Sequence, residues 1–292
     1  MATHIFTSII ANYIPKARVL ARSVKKHHPE MMFHLFLSDA IPLGFDLKHE
    51  PFDTLWTPVE FGIANPEQWI FGHSLVEVST GIKGAALRKI LDLPDCSEVF
   101  YFDPDIVVLN RLDPILARYE SASILLTPHL TEPEAAMEAI LDNEICALQH
   151  GIFNLGFLGV RNSAEGRRFA DWWANRLVHF CLDDIPHGLF TDQRWIDLVP
   201  AFFDDYAVLR DPGYNVCTWN LTHRQVEGSL EGGLIVNGRP LIFYHFSGLD
   251  SGAQQAMLNK YGARMPVLHQ LREWYLAECE LQGQREMASI PW

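Results

Sequence analysis

The chain has 292 residues, with 36 Asp or Glu against 23 Lys or Arg and a formal net charge of −13. Its 48% hydrophobic and 12% aromatic content is ample for a packed core and excludes disorder for the bulk of the chain. The negative balance excludes duplex nucleic acid as a partner, since phosphates demand a basic face, and any phosphate-bearing substrate must be held by something other than general positive charge.

Residues 4–10 form a β-rich run, the first expected strand. After Pro15, apolar Ala17, Leu20, Ala21 and Val24 recur at helical spacing, which predicts an amphipathic helix with proline in its first turn. Residues 31–37 read as a second, buried strand, and residues 40–75, rich in Pro, Gly and aromatics, as short strands and loops. A helix carrying Ala85, Leu87, Ile90 and Leu91 is stopped by Pro94, and the strand at 99–102 ends in Asp103-Pro104-Asp105. A strand at 123–127 and a helix near 133–148 follow. The strand at 152–160 is interrupted by Gly156 and Gly159, which suggests backbone held close to a ligand or another element. Ser163 is placed to cap a helix burying Phe169, Trp172, Trp173, Leu177 and Phe180. The last strand is expected at 241–246 and the last helix at 265–281. Strands alternating with helices imply an α/β fold with a mainly parallel sheet, and the lack of repeats or linkers implies one compact unit.

Residues 1–4 lead straight into the first strand without the features of a signal peptide, and no stretch approaches the ~18 apolar residues of a membrane span. Cys96, Cys146, Cys181, Cys217 and Cys279 are odd in number and widely spaced, with no CxxC or zinc-ribbon pattern. They read as reduced structural thiols, so the expected location is cytoplasmic and the Asn220-Leu221-Thr222 sequon is irrelevant.

The sharpest feature is Phe100-Tyr101-Phe102-Asp103-Pro104-Asp105-Ile106-Val107-Val108. Positions i and i+2 of a strand project to one face, about 6.5 Å apart, and two carboxylates after a hydrophobic strand are unfavourable unless compensated. A divalent cation compensates them, and oxygen ligands favour magnesium or manganese. The carboxyl end of a strand is also where open α/β sheets bind ligands. The bland alternative is a solvated turn, for which Asp-Pro-Asp is good chemistry. Among enzymes, the motif suits a metal-dependent glycosyltransferase or a haloacid-dehalogenase-type phosphatase with Asp103 as nucleophile and Asp105 as acid. The phosphatase would need a second acidic pair, Asp183-Asp184 or Asp204-Asp205, neither in a fitting context. A non-catalytic nucleotide-sugar-binding protein is the third alternative, and the transferase is favoured.

A wider set of segments bears on this choice: Ser79-Thr80-Gly81-Ile82-Lys83, Tyr101-Phe102-Asp103-Pro104-Asp105, Leu126-Thr127-Pro128-His129, Gly151-Ile152-Phe153-Asn154-Leu155-Gly156-Phe157, Thr191-Asp192-Gln193-Arg194-Trp195-Ile196-Asp197, Gly213-Tyr214-Asn215, Trp219-Asn220 and Tyr244-His245-Phe246-Ser247-Gly248. In this order, and from about residue 5 to residue 250, the chain resembles a bacterial glycosyltransferase of the GT-A fold, similar to glycosyltransferase family eight. The resemblance implies a single GT-A domain over residues 1–292, with a nucleotide-binding half to about residue 110 and a donor-sugar and acceptor half beyond it. It implies metal ligands Asp103, Asp105 and His245 for manganese, with magnesium as the alternative. Asn12, Tyr13, Lys83, Asn154 and Gly248 would bind the nucleotide and donor, and Asp192, Gln193 and Asn154 would flank the anomeric carbon.

Each of these residues has a plainer alternative: a tight turn for Asn12 and Tyr13, a solvated helix start for Lys83, a helix N-cap for Asp192, and a satisfied structural histidine for His245. His129, His150 and Trp195 are acceptor-site candidates. The resemblance further implies transfer from a nucleoside-diphosphate sugar, expected to be UDP-linked, with retention of configuration, to a glycan, lipid-linked glycan or protein hydroxyl. Surface-polysaccharide biosynthesis fits such an enzyme, with at most peripheral membrane contact through residues 266–292 at the inner face. Two departures stand out. Ile10 occupies the position where an aspartate near the base is common, and Ser251 the position of a lysine after His-x-x-Gly, which leaves the diphosphate to the metal and to Lys83 or Lys260.

Overall fold

The structure, a computed structural model, describes residues 2–288; Trp292, part of the tail considered for membrane contact, lies outside the described residues. Four strands come first: β1 (Ala2–Ile9), β2 (Met32–Leu37), β3 (Thr54–Trp56) and β4 (Cys96–Phe102). β5 (Ile106–Val108), β6 (Ile124–Pro128) and β7 (Phe153–Arg161) follow, then the small hairpin β8 (Asp183–Asp184) and β9 (Leu189–Phe190). β10 (Tyr206–Val208), the antiparallel trio β11 (Val226–Ser229), β12 (Gly233–Val236) and β13 (Arg239–Pro240), and finally β14 (Phe243–His245) complete them.

Seven strands make the central sheet in the order β10-β6-β7-β4-β1-β2-β3. β7 alone among them runs antiparallel to its neighbours β4 and β6, and the other pairings are parallel, as the alternating pattern predicts. Parallel strands are buried on both faces, and the side-chain period of two sorts the residues between two cores. Ile5, Ile9, Phe100 and Phe102 face the layer that contains α1 (Ile14–His27). Phe6, Val99 and Tyr101 face the opposite layer, with Ile82, Leu87, Phe169 and Trp173. α1 buries Ala17, Leu20, Ala21 and Val24, carries Pro15 in its first turn, and places Lys25, Lys26 and His27 in its last, where cations favour the helix dipole.

Residues 40–75 depart from the expected strands and loops. They hold β3 and 3-10 turns but also α2 (Pro66–Phe71), and α3 (Leu75–Gly81) opens there under a Ser74–Glu77 capping box. α4 (Lys83–Leu91) follows α3 after one residue, and Gly84 lets it lie against Ala174, whose Cα a Cβ would approach to 2.6 Å. The helix expected at 133–148 runs over Met137–His150, with a π-helical middle at Ile140–Ile145. Ser163 accepts from Gly166 N–H and caps the helix Ala164–Phe180 as expected, but Phe180 at its end is exposed rather than buried. The cysteines are all free. Four are buried, and Cys146 is exposed, so it is not a core thiol. Among the described residues no helix is long and apolar enough to cross a membrane.

Candidate metal and donor site

The Asp-Pro-Asp segment is a turn. Ile106 N–H donates to the Asp103 carbonyl at 3.1 Å, closing the link between β4 and β5. Convergence of the two carboxylates thus comes from this turn and not from strand alternation. The turn is not a solvated one, because a third element lies over it. β14 pairs antiparallel with β5, setting His245 opposite Ile106, and Phe246 N–H donates to the Asp105 carbonyl at 2.9 Å. His245 Nε2 consequently lies 3.1 Å from Asp105 and 3.7 Å from Asp103.

One ligand atom from each of the three side chains falls within 4.8 Å of the others, the only such arrangement of three or more metal-capable side chains among the described residues. Burial works against a charged His245, yet Asp105 and Asp103 outweigh it and hold its pKa above the usual range. Burial likewise works against an ionised Asp105, and His245 overcomes it to hold that carboxyl below its usual value. A place that favours positive charge this strongly, with two carboxylates and one imidazole, fits a divalent cation of the manganese or magnesium kind. Gly156 on β7 makes the ring's position possible, since a Cβ there would lie 2.4 Å from His245 Cε1. The interruption noted in the sequence therefore marks the close approach of an element.

Lys83 opens α4 and is buried, not solvated. Its ammonium stands 3.2 Å from Asp103, 3.0 Å from Asp192 and 4.2 Å above the Tyr101 ring. Burial opposes that charge, but the two carboxylates hold its pKa well above normal. Asp192 is less well compensated: burial raises its carboxyl, and Lys83, shared with Asp103, offsets only part of this. Although Asp192 occupies the N-cap position of the short helix after it, its side chain makes no capping bond. The neighbouring Gln193 is spent on structure, its Oε1 accepting from Leu155 N–H at 2.9 Å and its Nε2 donating to the His150 carbonyl at 3.0 Å. Asn154 Oδ1 accepts from Asn215 Nδ2 at 2.9 Å and from Gly156 N–H at 3.0 Å.

A cleft of about 460 Å³ runs from these carboxylates to β1 and is lined by Ile10, Asn12, Tyr13, Lys83, Asp103 and Asp105, within the size range of small-molecule sites. Asn12 Oδ1 is buried beside it without a hydrogen-bond partner. Gly248 does not line it. With φ at +78° it turns the chain, and Asp250, two residues on, reaches the cleft instead. Lys260 is also elsewhere, bound to Glu138 and Asp142.

Of the acceptor candidates, His129 joins the polar group through Asn154, 3.3 Å away. His150 is held by the Cys146 carbonyl at 2.8 Å and the Phe190 ring, and Trp195 by the Phe180 carbonyl at 3.2 Å. Sequence reasoning missed Lys16 and Asp250 in the cleft, and gave no role to Asn215 or to Trp219, whose ring packs edge-on against both His129 and His245. The acidic pairs considered for a phosphatase are absent from the site. Asp205 bonds Ser123 at the opening of β6, the opposite end of the sheet, and Asp183-Asp184 lies on the β8–β9 hairpin. Asn220 is buried and donates to the Asn215 carbonyl, so the sequon cannot carry a glycan.

No family model matches the chain. It is 27% identical over 255 residues to the uncharacterized protein YfnD of Bacillus subtilis (strain 168), covering 85% of this chain and 78% of that one. To the uncharacterized protein YfnF of the same organism it is 30% identical over 172 residues, 57% of this chain and 55% of the other. The galactosyltransferase LgtC, whose crystal structure holds donor and acceptor sugar analogs, superposes with a TM-score of 0.52 at 17% identity, over 85% of this chain and 87% of that one. With its seven-stranded, mostly parallel sheet between helical layers, the chain has the GT-A fold.

Proposed function

We propose that the protein is a glycosyltransferase, moving a sugar from a nucleoside-diphosphate donor to an acceptor hydroxyl with a manganese or magnesium ion held by Asp103, Asp105 and His245. The observation that carries this reading is the convergence of those three side chains, two of which, Asp103 and Asp105, line a cleft that reaches Asn12 and Tyr13. When bound, a divalent cation supplies Lewis-acid stabilisation of the charge on the departing diphosphate, worth several kcal/mol. Asn12 would take a ribose hydroxyl and Tyr13 would stack on the base, so that residues to about 110 form the nucleotide half. Ile10 presents an apolar side chain where a polar base contact is common, so the preference for a uracil donor rests on the other contacts.

The remainder of the chain would hold the donor sugar and acceptor. Lys83, fixed by Asp103 and Asp192, would lie beneath the donor, with Asn154, Asp192 and Gln193 next to the sugar. For a retaining reaction we favour front-face substitution: the bond from the anomeric carbon to the diphosphate oxygen breaks, the bond to the acceptor oxygen forms on the same face, and the acceptor proton passes to the leaving phosphate. LgtC was solved with donor and acceptor sugar analogs, which supports a glycan acceptor; a lipid-linked glycan of surface-polysaccharide synthesis, made in the cytoplasm or at the inner membrane face, suits the same chemistry. The test is incubation with a panel of nucleotide sugars and manganese. Release of nucleoside diphosphate from one of them, lost in Asp105→Asn, is expected; a folded wild-type protein that hydrolyses or transfers from none refutes the reading.

A further inference from the structure

Two cations line the cleft, and they differ in what holds them. Lys83 is locked between two buried or half-buried carboxylates. Lys16, in the first turn of α1, has a side chain only 4% exposed, yet its partner Asp250 is 58% exposed at the rim. Both Asp250 oxygens contact the ammonium, at 2.6 and 2.7 Å. Tyr13 Oη donates to the same carboxylate at 2.5 Å, and the Lys16 ammonium sits 4.2 Å over the Tyr13 ring. One exposed anion thus takes up two donors that belong to the cleft wall.

The asymmetry decides which partner can leave. The ammonium is fixed by burial and by the ring beneath it. The carboxylate is already mostly in water and sits on a segment between two left-handed glycines, Gly248 at φ +78° and Gly252 at φ +80°. A phosphate offers the same acceptor chemistry as a carboxylate, with more oxygens and more charge. Left in place, Asp250 would be a third carboxylate, beside Asp103 and Asp105, facing an anionic ligand.

We infer that Lys16 is the side-chain cation for the donor's diphosphate and that Asp250 is an internal anion which holds Lys16 and Tyr13 until the diphosphate displaces it. The inference rests on the donor-site reading above. It answers the lack of a lysine at Ser251 with one from the other end of the chain, 234 residues from its counter-ion.

Isothermal titration with manganese and UDP, GDP, ADP, CDP or dTDP tests it, using whichever diphosphate the wild-type chain binds. Lys16→Met should weaken that binding on the order of 10-fold or more, as expected for loss of a charged hydrogen bond. Asp250→Asn should tighten it, by up to about fivefold. Opposite signs are the signature, because a pair that serves only to hold the fold would weaken binding in both variants. Unchanged affinity in Lys16→Met, or weaker or unchanged binding in Asp250→Asn, overturns the inference while the donor site stands. If Lys16→Met fails to fold, Asp250→Asn decides alone, since its side chain is at the surface. If the wild-type chain binds none of the diphosphates with manganese, the donor-site reading falls and the inference with it.

Discussion

Replacing Lys83 with methionine removes the one ammonium shared by Asp103 and Asp192 while keeping most of the side chain's volume. Lys83 and Asp192 side chains are 2% and 3% exposed and 3.0 Å apart, so at an effective dielectric of about 20 their attraction is roughly 5 kcal/mol before desolvation. Without Lys83, Asp192 is a buried carboxylate with no cation, and it escapes that state by taking up a proton. The expected loss is about 3–5 kcal/mol of stability. Asp192→Asn should be milder, at about 1–3 kcal/mol, because Lys83 keeps Asp103 at 3.2 Å. The double variant should recover part of the loss, with a coupling energy of about 2 kcal/mol or more. Urea unfolding followed by tryptophan fluorescence measures all four corners of the cycle, the eight tryptophans giving ample signal. A Lys83→Met protein within about 1 kcal/mol of wild type, or additive effects in the double variant, would refute the account of this ion pair.

Other consequences are independent of that pair. His34 and His129 are held neutral in the fold, chiefly by burial, with pKa values pulled down to about 4. The unfolded chain takes up protons below about 6.5 that the folded one refuses, so their contribution is fully present above pH 6.5 and is lost as pH falls toward 4, by about 3 kcal/mol each. Thermal melting across this range should show a shallower decline in His34→Gln than in wild type; parallel curves would contradict it. Gly156→Ala forces a Cβ against His245 and also to 2.8 Å from Asn154 Oδ1. Manganese affinity should then fall by roughly 10-fold or more with the fold retained, and titration showing wild-type affinity would remove the steric argument. Chelation should abolish binding of the nucleoside diphosphate and not merely slow turnover, because the cation neutralises the carboxylates that would otherwise repel it. Affinity unchanged in chelator, measured by the same calorimetry, would contradict this explanation of how an acidic protein binds a phosphate ligand.

How much of this was legible in the sequence depends on the distance over which each feature is determined. The strands were readable because double-sided burial writes continuous apolar runs such as residues 99–102, and α1 because its buried face repeats at helical spacing. Asp103 and Asp105 stood out because charge directly after such a strand demands a reason. The turn that joins them was legible as well, as the alternative to a metal site, and the structure makes it part of the Asp103–Asp105–His245 cluster. Gly156 announced a close approach without naming His245 as the neighbour. Lys83 and Asp192 were separate suspects, and only folding made them an ion pair.

Lys16 and Asp250 gave no signal. A lysine in a first helical turn and an aspartate among small residues both look like solvated charge, and only the meeting of α1 with the segment after β14 pairs them. Asn215 and Trp219 stood in motif segments, but their roles were hidden, since these lie in contacts with Asn154, His129 and His245. Gly248 stood out by its motif position, and the structure adds that its backbone turns the chain there, at φ +78°. In residues 40–75, Pro and Gly read as breakers, but Pro66 opens a helix instead, as proline does at a first helical position.

On the proposed function, one divalent cation joins this acidic chain to a diphosphate. Crystals grown with manganese and the nucleoside diphosphate that binds most tightly, with data collected at the manganese absorption edge, test it most directly. A single strong anomalous peak is expected within ligand distance of Asp103, Asp105 and His245 and of the diphosphate oxygens. A diphosphate seated in the cleft with no peak there, or with its manganese bound by other side chains, would contradict it.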